Sequence, residues 1–194
     1  FCEKCNILTT TQHFIIMKRQ LLFLLLVCSS VCATKATAQT PTTFWADNAN
    51  TAWYNTSTST FTLTTANQLA GLAVLVEGGN NFTGKVITLG NDLDLGAHLW
   101  KPIGKNTTLT FSGTFDGDNK VLSNLYINNL TAAFTGLFGQ ITNATVKNII
   151  LQNPTISAKS DAGCIAGGLM TNALVTNCHA RGVVISGTEA NIGG

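Results

Sequence analysis

The feature that most constrains this chain is that part of it repeats. Asn143-Ala-Thr-Val-Lys-Asn-Ile-Ile-Leu-Gln-Asn-Pro-Thr-Ile-Ser157 aligns with Asn172-Ala-Leu-Val-Thr-Asn-Cys-His-Ala-Arg-Gly-Val-Val-Ile-Ser186 at an offset of 29, with six of fifteen positions identical. An earlier stretch, residues 121–131, matches residues 145–155 at an offset of 24 and sets Asn124 over Asn148 and Asn177. Copies this short cannot bury their own apolar face and must stack on one another. Each copy carries β-branched runs bounded by Gly and Asn, so the stacking element is a short strand. The expected fold is all-β: a right-handed parallel β-helix, or solenoid, with rungs ~4.8 Å apart. The alignment predicts inward columns Leu122/Val146/Val175, Leu125/Ile149/Cys178, Ile127/Leu151/Ala180 and Ile156/Ile185. Asn suits the corners, because it tolerates left-handed backbone angles and its amides can bond from rung to rung.

One segment departs from the strand pattern. Thr65-Ala-Asn-Gln68 is a capping box that leads into Leu69, Leu72, Ala73 and Val76 at helical spacing, and Gly78-Gly79 follow. A helix is expected over about 65–77, within an N-terminal cap spanning 39–104. The coils are expected over 105–194, broken off at Ile192-Gly-Gly194 where another repeat is due.

The start of the chain reads as processing sequence. Met17-Lys-Arg19, an apolar stretch from Leu21 to Val27 and Ala36-Thr-Ala38 have the three parts of a signal peptide, predicted at 17–38 with cleavage between Ala38 and Gln39. Residues 1–16 precede that Met and read as an upstream mis-start. Cys2-x-x-Cys5 with His13 lacks the partner pair that a structural zinc site needs. The whole chain has 11 basic and 9 acidic residues, but after residue 38 the balance is seven to eight. That excludes the basic surface expected of a nucleic-acid binder, and no apolar run reaches the ~18 residues of a spanning helix. Of six cysteines only Cys164 and Cys178 follow the leader, too few for a disulfide framework.

Phe111-Ser-Gly-Thr-Phe-Asp-Gly-Asp-Asn-Lys-Val-Leu-Ser-Asn-Leu125, then Thr135-Gly-Leu-Phe-Gly139 and Gly167-Gly-Leu-Met170, resemble the GLUG-repeat family of bacterial surface and secreted proteins. The upstream Trp45, Leu69-Ala-Gly-Leu-Ala73, Asp92-Leu-Asp-Leu95 and Trp100-Lys-Pro-Ile-Gly104 are similar to the segment that precedes those repeats in Bacteroidetes-type proteins. The resemblance covers roughly residues 44–194 and marks Gly136, Gly139, Gly167 and Gly168 as repeat positions. The second repeat departs from the pattern, with Met170-Thr171 in place of the usual apolar-Gly pair. The resemblance implies an exported, repetitive protein of the adhesin-like kind, or the N-terminal region of an immunoglobulin-A-type peptidase.

Candidate chemistry is sparse. Trp45, Trp53 and Trp100 are candidates for stacking sugars, against the plainer role of plugging the open end of the solenoid. Asp116-Gly-Asp118 and Asp92-Leu-Asp94 are candidate Ca²⁺ ligands. The plainer accounts are a hairpin-like turn for the first and, for the second, a strand whose leucines point in and carboxylates out. Calcium is the one cofactor candidate. His98 and His179 neighbour no activated nucleophile, and His179 is expected on the surface. The expected function is a non-catalytic exported scaffold binding a host or matrix glycan or protein. The alternative is the non-catalytic N-terminal part of a larger secreted enzyme, either a polysaccharide-active β-helix or a metallopeptidase.

Overall fold

The computed structural model describes residues 40–189. The mis-start expected at 1–16, the signal peptide expected at 17–38 with cleavage between Ala38 and Gln39, and the break expected at Ile192-Gly-Gly194 lie outside the described residues. Within them the chain winds as a parallel β-solenoid of about 4 turns. It enters through a 3-10 turn, Trp45–Asn48, then β1 (Thr60–Leu63), helix α1 (Ala66–Glu77), β2 (Val86–Leu89) and β3 (Leu93–Asp94). The next coil holds β4 (Thr114–Asp116), β5 (Val121–Ser123), β6 (Tyr126–Asn129) and β7 (Phe138–Ile141). Below it come β8 (Thr145–Lys147), β9 (Ile150–Gln152), β10 (Thr155–Ala158) and β11 (Ala166–Leu169). The last described coil holds β12 (Leu174–Thr176), β13 (His179–Arg181) and β14 (Val184–Gly187).

Every strand pairing is parallel, and strands of equivalent position stack into four sheets. Their orders are β1-β2-β4-β8-β12, β3-β5-β9-β13, β6-β10-β14 and β7-β11. The walls of the lower coils are written in units of five residues, Asn-Φ-x-Φ-x, where Φ is apolar. Asn143, Asn148 and Asn153 each have positive φ, as do Asn172, Asn177 and Gly182 one coil below and Asn119 and Asn124 one coil above. Such a residue turns the chain sharply, and Asn and Gly bear that conformation better than other residues do. Both Φ side chains then face inward: Ala144, Val146, Ile149, Leu151 and Ile156 are all buried. The x residues between them face solvent or the wall, as the alternation of a strand requires.

This unit explains where the expected columns fail. In the structure Leu122 lies between Leu93 and Leu151, with Ala180 paired to Leu151 on the next rung, while Val146 lies between Phe115 and Val175. Ile127 stacks on Ile156 and Ile185. Asn124 therefore does not stand over Asn148 and Asn177; its Nδ2 donates to Asp94 Oδ1 at 3.0 Å, at a different corner. The offset of 24 is the true offset of 29 slipped by one five-residue side, and each side looks enough like its neighbour to allow the slip. Leu125 likewise leaves the Ile149/Cys178 column, and only the pairs set by the offset of 29 survive. Asp116-Gly-Asp118 is not a hairpin turn either. It is a corner that carries the chain from β4 to β5 in a different sheet, with Asp118 and Asn119 at φ of 48° and 57°.

The glycine motif is also shifted. β7 pairs with β11 so that Phe138 meets Ala166 and Gln140 meets Gly168. Gly139 thus corresponds to Gly167 and Thr135 to Ala162, so the stretch stacked on Thr135–Gly139 is residues 162–167, one residue longer, rather than 167–170. The substitution expected at Met170-Thr171 disappears with that alignment. The coils here approach too closely for a side chain: a Cβ on Gly139 would fall on the Gly104 carbonyl, and one on Gly167 on the Phe134–Thr135 backbone.

The helix lies where its capping box places it. Gln68 N donates to Thr65 Oγ1 at 3.3 Å, while the Gln68 side chain reaches back one residue further than expected, to Thr64 N at 2.8 Å. Leu69, Leu72, Ala73 and Val76 are buried and join the core cluster that runs through the coils. β1 and β2 already belong to the long sheet, so stacking begins well before residue 105.

Candidate functional site

Of the three tryptophans expected as sugar platforms or end plugs, two lie in the core. Trp45 and Trp100 are buried, and their indole N–H groups donate to the carbonyls of Leu95 and Leu137, each at 3.0 Å. Neither ring is presented to solvent as a platform, because burying an indole requires its N–H to find a partner and both have found one in the coil wall. Trp53 is half-buried among Tyr54, Phe61 and Phe82, with ring centroids 6.0, 5.2 and 6.1 Å away. Lys85 holds this aromatic roof down. Its Nζ donates to the carbonyls of Thr56 and Thr58 at 3.0 and 2.6 Å and lies 5.9 and 5.8 Å from the Tyr54 and Phe61 ring centroids.

The four aspartates are distributed along the stack and hold corners in place. Leu93 is buried and Asp92 and Asp94 are exposed, as the alternation predicts. Asp92 Oδ1 accepts from Val121 N at 2.8 Å, and Asp94 Oδ1 accepts from Gly96 N and Asn124 Nδ2. Asp116 Oδ1 accepts from Asp118 N and Asn148 Nδ2, both at 2.9 Å, and its Oδ2 is 3.1 Å from Lys147 Nζ. Desolvation by burial works against its charge, but the Asn148 amide, the Asp118 N–H and Lys147 outweigh it and hold the carboxyl below its ordinary range. Asp118 pairs with Lys120 at 3.3 Å. Among the described residues no three His, Cys, Asp or Glu side chains converge on a point where a metal ion would fit.

Asp116 heads an amide ladder. Asn148 donates to it, and Asn177 donates to Asn148 Oδ1 at 2.7 Å; at the neighbouring corner Asn172 donates to Asn143 Oδ1 at 3.1 Å. Each amide donates to the coil above it, so the ladder has a single polarity. His179 is exposed and pairs with Ile150, the outward position expected of it. Cys164 is buried and Cys178 half-buried, both are free, and burial pushes both thiols up.

A concave feature that the sequence did not suggest lies on the sheet built around β6. Trp45 N donates to Leu99 O, and Trp100 N to Tyr126 O, so residues 43–45 and 99–101 add two rungs above β6. Between these rungs and the bend after β6 is a groove of about 410 Å³, lined by Phe44, Lys101, Pro102, Asn128 and Thr131 among others. Glu77 and Lys105, at its edge, form an ion pair at 2.6 Å, which lowers the Glu77 pKa. Lys101 Nζ lies 5.1 Å from the Phe44 ring centroid. The volume falls in the ~300–1,000 Å³ range of small-ligand sites. Phe44 and Asn128 are 84 residues apart, and only the stacking register brings them together.

No family model matches the chain, and no solved structure matches it. Over 100 residues, 51% of this chain, it is 33% identical to Halomucin of Haloquadratum walsbyi. The matched stretch spans about 1% of the length of that relative. No helix of the described residues is long and apolar enough to cross a membrane.

Proposed function

We propose that this chain belongs to an exported, non-catalytic repeat scaffold that adheres to glycan or protein surfaces outside the cell. The observation that carries the reading is the register of the long sheet. Its outward positions align as Thr60/Val86/Thr114/Thr145/Leu174 and Thr62/Thr88/Asp116/Lys147/Thr176. Ser157 and Ser186 continue the theme on another face, their hydroxyl oxygens 3.0 Å apart. Threonines and charged groups, broken only by Val86 and Leu174, recur at ~4.8 Å along this wall and suit many weak contacts made together. The leader predicted at 17–38 and the resemblance to GLUG-repeat proteins support an extracellular setting. The mucin name of the matched relative points the same way.

The test is adhesion of beads carrying the full chain to immobilised mucin and to a printed glycan array. Retention is expected to rise steeply with chain density on the beads, as multivalent attachment demands. Absence of retention at every density, or release of cleaved saccharide from the surface, would overturn the reading.

A further inference from the structure

We propose that the groove between Phe44, Lys101, Pro102 and Asn128 is a binding site for an acidic saccharide unit, with the Lys101 ammonium taking the anionic group. The proposal rests on the reading of the chain as an adhesive scaffold and gives that scaffold a discrete ligand site. Charge is the first argument. Lys105, Lys120, Lys147 and Lys159 each face a carboxylate within 4 Å, and Lys85 is bonded to two carbonyls. Among the described lysines, Lys101 alone has neither kind of partner; its ammonium rests against the Phe44 ring. The cation is not part of a basic surplus, since residues 39–194 carry seven basic and eight acidic side chains. Glu77, also in the groove lining, is ion-paired with Lys105 and feels Lys101 more weakly, so the three charges sum to one positive charge.

The walls are the second argument. A sugar ring has flat apolar faces edged with hydroxyls, and it is recognised by an apolar surface flanked by amide and hydroxyl groups. Phe44 and Pro102 in the lining supply that surface. Asn128, exposed near the end of β6, and Thr131 supply polar groups. Lys101 stands beside Phe44, and its ammonium is a compact point charge that suits a carboxylate or a sulfate ester equally. These rungs lie near the capped end of the stack, so the site does not depend on the coils that follow.

Titration calorimetry on the full chain tests this with three oligosaccharides of matched length: an oligogalacturonide, a sulfated galactan fragment and a neutral galactan fragment. Binding of one or both acidic probes is expected, with affinity falling as salt rises, because the pair is near solvent. Which probe binds tells carboxylate from sulfate. Lys101→Met should weaken that binding about tenfold or more, as loss of a charge-assisted contact does. Lys101→Arg should restore it. Glu77→Gln should tighten it severalfold by releasing the Lys105 charge, a gain that misfolding does not mimic. Equal binding of the neutral fragment, an unchanged affinity in Lys101→Met, or no binding of either acidic probe overturns the proposal. Bead adhesion that persists through those outcomes leaves the scaffold reading standing while this site falls.

Discussion

At the N-terminal end of the stack Phe61 is buried beneath Trp53 and Tyr54, and Leu63 shares a core with the buried face of α1. At the last described coil the side chains in equivalent columns have much less cover. Val146, Leu151 and Ile156 are fully buried, whereas Val175 and Ile185, directly below two of them, are half-buried and Ala180 is exposed. The two lower coils share the same left-handed corners and the amide bonds between them. What differs is how much of the described chain covers each column. Repetition supplies the wall, and stability at any level depends on the neighbour above and below.

The sharpest way to break this contrast is to truncate one side chain at each end. Trp100→Ala should cost ~3–5 kcal/mol in chemical denaturation, since it empties a buried site and removes one of the two donors, the indole and Ile103 N, that the Leu137 carbonyl accepts from. Val175→Ala should cost less than ~1 kcal/mol, because half of that side chain is already in water. Equal losses would mean that burial in the described coils does not set the stability at each level.

Glycines sharpen the comparison in the middle of the stack. Gly139→Ala should destabilise by ~1–3 kcal/mol, because its new methyl would meet the Gly104 carbonyl of the adjacent coil. Gly78→Ala, at the helix end with its nearest contacts at 3.4 Å, should stay within ~0.5 kcal/mol of wild type. The melting temperatures of the pair would show whether coil spacing limits that face.

The amide ladder gives a graded test. Asn148→Ala loses bonds to Asp116 and Asn177 and forces Ala to φ near 57°, for an expected ~2 kcal/mol. Asn148→Gly keeps the corner and should recover about half of that. Asn177→Ala, which among the described residues has a ladder partner only in Asn148, should fall below Asn148→Ala. A larger loss at Asn177 would reverse the gradient seen in burial.

The smallest effect concerns acid. Because Asp116 titrates below an ordinary aspartate, its contribution is complete above the unfolded value of ~3.9 and is lost as pH falls through the lower folded value. Asp116→Asn should match wild type near neutral pH, its partly exposed pair with Lys147 being worth ~1 kcal/mol or less. Below about pH 4 the variant should lose less stability than wild type, read as melting temperature against pH.

The fold class, the helix and the inward set at the offset of 29 were legible because each depends on residues close in sequence or on one long alignment. The vertical order of the upper coil was not. Val121-Leu-Ser-Asn124 and Thr145-Val-Lys-Asn148 have the same strand-then-corner form yet belong to different faces. The corner between β4 and β5 also holds four residues where the next coil has two, which disguises the alignment further. The carboxylates were legible as outward but not as corner bonds, since their partners lie 29–32 residues away. The groove was invisible for the same reason: Lys101 sits in a motif whose tryptophan attracted the sugar-stacking reading, and the structure buries that ring and leaves the lysine beside it open.

The parallel ladders have a mechanical consequence. Their hydrogen bonds run from coil to coil, along the direction in which the stack grows. Tension applied along that direction loads one rung at a time and peels it, rather than shearing all rungs together. Each coil of 29 residues that comes away would release about 100 Å of slack. A tether of this kind lengthens in steps under a steady pull, absorbing work at each step while the coils still wound keep their surface intact.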